Sequence, residues 1–179
     1  MQLVSPLTID DFEQLPDELA LNHELVDGKL ADVSGNTLIH NRLRDAFISL
    51  LRDYVRKNGL GEIVSEQEFD FGGNAHGPDV SFFGPDKLRL CEAQRRVQRF
   101  VPDLAIEIVS ENHTFKKLVK KADRYRKFGT KEAWIIDPDS QTACLYSDTL
   151  NTILREDGAF QSSLIPGFSI RLGDLFDQL

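Results

Sequence analysis

The stretch DLAIEIVS, residues 103–110, puts an acid where an acid is hard to keep. Side chains alternate along a strand, so Leu104, Ile106 and Ile108 take one face and Asp103, Ala105, Glu107 and Val109 the other. Glu107 then stands in the middle of an apolar strand, where a carboxylate needs a cationic partner, a proton or a metal ion. The segment FKKLVKKADRYRKF, residues 115–128, supplies a cation. At about 100° per residue, Phe115, Leu118, Val119, Ala122, Tyr125 and Phe128 form one apolar arc. Lys116, Lys117, Lys120, Arg124 and Lys127 mostly fall outside that arc, whereas Lys121 lies between Tyr125 and Phe128. Glu107 is its obvious partner; the plainer alternative is a lysine whose stem packs while its ammonium reaches water. Asp79 follows Pro78 at the start of a short strand, PDVSFF, after a glycine-rich loop. A carboxylate there is free to meet a ligand, although Pro-Asp is also an ordinary turn pair.

Together the three residues suggest more than each does alone. Two carboxylates from adjacent strands suit a hard, oxygen-loving cation, Mg²⁺ or Mn²⁺. The backbone carbonyl of Ile108 offers a further oxygen ligand. Such an ion can deliver a water in line to a phosphodiester phosphorus, and Lys121 can orient that water or stabilise the growing charge.

These residues must be positioned by strands and a helix. Residues 8–15 read as a short helix with Thr8 as N-cap, ended by Pro16. Residues 22–33 read as two strands around a turn at Asp27-Gly28. A helix capped by Asn36 or Thr37 carries Leu43, Phe47, Leu50, Leu51 and Tyr54 at helical spacing and stops at Gly59. GEIVSEQEFDF (61–71) reads as one strand, GGNAHG as a loop, and residues 84–102 as an irregular, partly helical connection. EAWIIDP and TACLYS form a hairpin across Asp139-Ser140, with weaker strands near 151–155 and 168–171 and a short final helix. The expected class is α/β (α+β): a mixed sheet flanked by helices, in one domain of 179 residues.

The formal net charge of −8 argues at first against a nucleic-acid partner. Residues 87–131, however, hold 13 lysines and arginines against 5 acids, a net of +8 that leaves −16 elsewhere. A local basic field can steer a polyanion, and a solvated helix face is the bland alternative. The chain has only two cysteines, Cys91 and Cys144, and no CxxC, so neither a zinc site nor a disulfide framework is expected. No apolar run reaches membrane-span length and MQLVSPLTIDDFEQL is not a signal peptide, so a cytoplasmic location is expected. Asp103 lies about 13 Å from Glu107 along an extended strand and is expected to start the strand. His23, His40, His76 and His113 show no metal-ligand spacing. His40 and His113 can lie near the cleft, with a plain surface role favoured. Trp134 is expected in the core.

The order Pro78-Asp79, then Glu107 on a strand, then a lysine resembles the PD-(D/E)XK nuclease superfamily. More closely, the chain resembles the Uma-two family, named as candidate restriction endonucleases and also called domain of unknown function 820. The matching stretches are HELVDGKL (23–30), GPDVSFF (77–83), PDLAIEIVS (102–110), KKADRYRKFGTKEAWIIDPDSQTACLYS (120–147) and IPGFSI (165–170). The superfamily's plain pattern has lysine two residues after the acid, where this chain has Val109. In the Uma-two family the lysine comes from the following helix, and Lys121 occupies the matching place. The resemblance implies a restriction-endonuclease-like mixed β-sheet flanked by helices. It also implies Mg²⁺-dependent cleavage of DNA, with Asp79 and Glu107 on the metal and Lys121 assisting. An early family glutamate maps onto Glu24, as a second-metal or water-positioning acid or an ordinary strand carboxylate. Superfamily members often cleave duplexes as dimers, so a homodimer is an open expectation. Members often carry SPS-type residues after the glutamate strand, where this chain has Ser110-Glu111-Asn112 and so an added negative charge. Two rivals stay open: a catalytically silent nucleic-acid-binding or scaffold module on the same fold, and a hydrolase of smaller phosphoesters.

Overall fold

Thr8 and Asp11 close a reciprocal capping box on the first helix, α1 (Ile9–Glu13). A computed structural model describes residues 6–110 and 113–179. After α2 (Asp17–Ala20) the chain forms a hairpin of β1 (His23–Val26) and β2 (Lys29–Asp32). Asp27 and Gly28 turn it with φ of 49° and 74°, the paired left-handed residues of a two-residue hairpin turn. A side chain at Gly28 would collide with Pro6, its Cβ falling 2.3 Å from the proline's.

The long helix α3 (Leu38–Lys57) is capped by Thr37, and buries Leu43, Phe47, Leu51 and Val55 along one stripe. Then come β3 (Glu62–Val64), β4 (Glu68–Asp70), β5 (Ala75–His76), β6 (Val80–Phe83), α4 (Pro85–Leu88), β7 (Val97–Gln98) and β8 (Leu104–Ile108). The helix α5 (Phe115–Lys127) connects β8 to β9 (Glu132–Asp137). The chain closes with β10 (Thr142–Ser147), β11 (Asn151–Leu154), β12 (Ala159–Phe160), β13 (Ile170–Arg171) and α6 (Leu172–Phe176).

The larger sheet has the order β11-β10-β9-β8-β6-β3. It is mixed: β8 and β9 run parallel across the α5 connection, and its other pairs are antiparallel. Leu104, Ile106 and Ile108 pack with Trp134, Ile136 and the α3 stripe. On the opposite face Ala105 meets Tyr125 of α5, together with Phe69 and Phe71. The alternation read from the strand sequence therefore separates a dry face from the face that carries Glu107. A second sheet has the order β2-β1-β5-β4-β7.

One expectation is overturned. Residues 61–71 are not a single strand, because β3 joins the larger sheet and β4 the second one. The break falls at residues 65–67, where Glu66 takes a φ of 53° and its N–H donates to the Pro78 carbonyl at 3.1 Å. A left-handed residue ends strand geometry whatever the side-chain alternation says. The loop expected at GGNAHG contains β5, and β12 was not anticipated.

Candidate functional site

Asp79 immediately precedes β6, and the β6–β8 register, Val80 opposite Ile106, sets Asp79 abreast of Glu107 when carried one step further. Its Oδ2 accepts the Ile108 N–H at 2.7 Å, tying it to the neighbouring strand. Its Oδ1 lies 3.2 Å from Nε2 of His40, which is fully buried near the start of α3. Burial works to lower the His40 pKa, but the Asp79 carboxylate outweighs it and holds the imidazole above its usual value.

Glu107 is buried at the centre of β8, only 3% exposed. Its Oε1 accepts a 2.5 Å hydrogen bond from the Tyr125 hydroxyl and lies 3.0 Å from Lys121 Nζ. Tyr125 is fully buried and stacks on Phe71 with ring centroids 4.4 Å apart, so the hydroxyl is fixed. Lys121 reaches a second carboxylate as well: its Nζ is 2.8 Å from Oε1 of Glu24. The same Glu24 oxygen accepts the Gly77 N–H at 3.0 Å, and Oε2 pairs with His76 Nδ1 at 2.8 Å.

Glu24 and Glu107 share one lysine, and their proton affinities diverge. Burial pushes the Glu107 carboxyl up to about 7, with the Asp79 and Glu24 charges adding to burial and Lys121 opposing. Burial also opposes ionisation of Glu24, but Lys121 and the His76 bond outweigh it and hold that carboxyl at about 2. Burial would lower the Lys121 pKa, yet the Glu107 and Glu24 charges drive it above the usual lysine range. Paired titratable groups with separated proton affinities are a frequent mark of a working site.

Glu24, Asp79, Glu107 and Lys121 thus come together, lining a cavity of about 890 Å³. Arg44, Glu66, Glu68, Arg96 and His113 complete its charged lining along with Asp17 and His23. Arg44 pairs with Glu66 and Arg96 with Glu68, so every lysine and arginine of this lining already has an acid. Ile108 keeps its side chain in the core while its N–H serves Asp79. Asp103, expected to start the strand, lies one residue before β8, held by Lys87, Lys131 and the Gly84 N–H. Trp134 is buried in the core. Glu111 lies outside the described residues.

The favoured surface role for His40 does not hold. Its signal was present in the sequence, because His40 precedes Leu43, Phe47 and Leu51 on the same helical stripe. His76 carried no such signal, since its place depends on β5 pairing with β1 and β4. The apolar arc expected from the sequence includes Tyr125, four residues after Lys121, but nothing in the spacing signals its bond to Glu107.

Among the described residues no three His, Cys, Asp or Glu side chains form a ready-made metal cage. Mg²⁺ does not require one, because it takes one or two carboxylates and completes its shell with water and substrate phosphate. Asp79 and Glu107, abreast on neighbouring strands in a site with more carboxylates than cations, fit that demand. Among the described residues no helix is long and apolar enough to cross a membrane.

No curated protein matches the chain. A solved structure from Anabaena variabilis, described as "a putative nuclease belonging to DUF820", is similar to it with a TM-score of 0.85 and 26% identity, covering 97% of this chain and 99% of that one. That likeness extends to the whole mixed sheet and its flanking helices, the restriction-endonuclease-like architecture. The family model Uma2, described as "Putative restriction endonuclease", matches residues 9–173, so the chain belongs to the Uma2 family.

Proposed function

We propose that this protein is a Mg²⁺- or Mn²⁺-dependent endonuclease that hydrolyses DNA phosphodiester bonds. The observation that carries the reading is the meeting of Asp79, Glu107 and Lys121 in one cavity. Asp79, Glu107 and the Ile108 carbonyl would hold the ion. When bound, that ion supplies an acidified water and polarises a phosphoryl oxygen. Tyr125 and Lys121 converge on Oε1 of Glu107, which assigns Oε2 to the ion. Lys121 donates to the attacking water or to the phosphoryl oxygens as charge builds on them.

The ion pairs narrow where a polyanion would be held. Lys87, Arg95, Arg96, Arg99, Lys121, Arg124, Arg126 and Lys131 are all in ion pairs, so most of the basic segment is neutralised internally. Lys116 and Lys120 are exposed on α5, on the same helix as Lys121, and among the described residues they enter no ion pair. They are the groups of that segment best placed to attract the phosphate backbone.

The test is cleavage of supercoiled plasmid, oligonucleotide and nucleotide phosphoesters with Mg²⁺, Mn²⁺ or chelator. Divalent-dependent plasmid nicking that Glu107→Ala abolishes is expected. Cutting by Glu107→Ala at the wild-type rate would overturn the assignment, and hydrolysis of only the small esters would move the substrate class. The net charge of −8 and the committed cavity cations favour one rival, a silent binding module. That rival requires DNA binding with no divalent site at Glu107.

A further inference from the structure

Glu24 is set apart from the other two carboxylates by the number and kind of its partners. It has three, Lys121 Nζ and the Gly77 N–H at Oε1 and His76 Nδ1 at Oε2, whereas Asp79 has two, the Ile108 N–H and His40, neither of them a lysine, and Glu107 has two, both at Oε1. His76 is itself anchored. It is 3% exposed, and its Nε2 lies 3.3 Å from NH1 of Arg124. The two neighbours assign one tautomer, with Nδ1–H donating to Glu24 and Nε2 accepting from Arg124. Arg124 also donates to Asn74 Oδ1 at 2.9 Å and pairs with Asp27, so it too is tied to the β1–β2 turn region. Lys121 and Arg124, one turn apart on α5, are therefore both moored to the sheet that contains β1 and β5.

We infer that Glu24 is a positioning residue for Lys121 and not a metal ligand, with His76 orienting Glu24. The inference rests on the nuclease reading for its purpose, since it explains how Lys121 keeps its place when Glu107 gives its charge to a cation. An ammonium has three donors and no acceptor. If Glu107 were its only anion, a divalent ion on Glu107 would both offset that partner's charge and repel the lysine. Glu24, abutting the same Nζ at 2.8 Å, supplies a fixed negative charge that the ion does not consume. One N–H of Lys121 then serves Glu24 and one stays on Glu107 Oε1, which leaves the third for the water or the phosphate.

The test uses lysine methylation read by peptide mass spectrometry, Mn²⁺ affinity read by electron paramagnetic resonance, and cleavage kinetics. In Mn²⁺-loaded protein, Glu24→Gln should speed methylation of Lys121 about tenfold while leaving that of Lys120 and the Mn²⁺ affinity unchanged. Its kcat should fall with KM preserved, as for loss of a group that matters only in the transition state. Loss of Mn²⁺ affinity by about tenfold or more, matching Glu107→Gln, would make Glu24 a ligand and overturn the inference. Continued protection of Lys121 would overturn it equally. A metal-free arm separates this inference from the nuclease reading: in Glu107→Gln protein Lys121 should stay protected, and adding Glu24→Gln should expose it. That arm requires neither metal nor DNA, whereas the nuclease reading fails on plasmid cleavage and Mn²⁺ binding by wild type. Should Glu24→Gln fold poorly by thermal melting, His76→Leu removes the orienting donor and should give the same exposure of Lys121 to a lesser degree, and an unchanged rate there sinks the role given to His76.

Discussion

Asp103, immediately before β8, and Glu107, within it, lie four residues apart and each meets a lysine, yet their proton affinities are shifted in opposite directions. Asp103 has two lysines to itself, Lys87 at 2.9 Å and Lys131 at 3.1 Å, and a Gly84 N–H besides. Burial pushes its carboxyl up, but those bonds outweigh burial and hold it below the usual range. Glu107 shares a single lysine with Glu24, stands near Asp79, and is pushed up to about 7 by burial with those two charges adding to it. The lesson is that an ion pair by itself does not mark a site. What marks it is a local excess of like charge that the fold tolerates and a cation would relieve.

The largest expected effect breaks that comparison outright. Asp79→Ala or Glu107→Ala should lower cleavage by at least about a thousandfold, since each would remove a ligand of the proposed ion. Asp103→Asn should leave the cleavage rate near wild type and instead lower stability by about 1–3 kcal/mol, read by urea unfolding, because a buried charged hydrogen-bond set is broken. Equal loss of cleavage in both would mean the two carboxylates are not functionally distinct.

The next effect is in pH dependence. A carboxyl raised in the folded state binds a proton there that the unfolded chain has released. Glu107 should therefore make metal-free protein less stable as pH rises from about 4.5 to about 7, and Glu107→Gln should flatten that limb. Asp103 and Glu24 are lowered, so their contributions are present above the ordinary carboxylate range and fade as pH falls below it. Chemical unfolding from pH 3 to pH 8 reads both limbs, and a limb that survives Glu107→Gln would assign it to another group. Mn²⁺ affinity should climb over the upper window, because the ion competes with the Glu107 proton.

Smaller effects should appear in DNA binding. Because the cavity's lysines and arginines are already paired with acids, Glu107→Gln should bind DNA more tightly than wild type in chelator, by up to about tenfold, as a negative charge is removed. Asp103→Asn, whose charge belongs to a different cluster, should not. Last, replacing Lys116 and Lys120 by alanine should shallow the salt dependence of binding by about 0.9 for each phosphate that is no longer neutralised. A slope that does not change would place the backbone elsewhere.

How much of this was legible depends on the range of the forces involved. Glu107 and Lys121 could be read locally, because strand alternation and helix periodicity fix which way each points. Asp79 stood out as a carboxylate at a strand start after a glycine-rich loop, and the Uma-two resemblance added Glu24 by position. What local periods cannot give is who arrives from the other sheet. His76 reaches Glu24 only because residues 65–67 leave one sheet for the other, and a left-handed Glu66 is invisible in an alternating stretch. The basic surplus of residues 87–131 was a sound count, but its partners, such as Asp10, Glu13 and Glu68, lie far away in the chain. His40 is the avoidable miss: the stripe containing Leu43 and Phe47 already pointed it inward.

Lys121 belongs to the helix that spans β8 and β9, and Glu24 to a strand of the other sheet. Their bond is a rivet across the seam between two layers, driven through the same ammonium assigned to the chemistry. A molecule built this way cannot loosen the lysine proposed to assist cleavage without also loosening its own frame, so wear at the seam and loss of the proposed cleavage should arrive together.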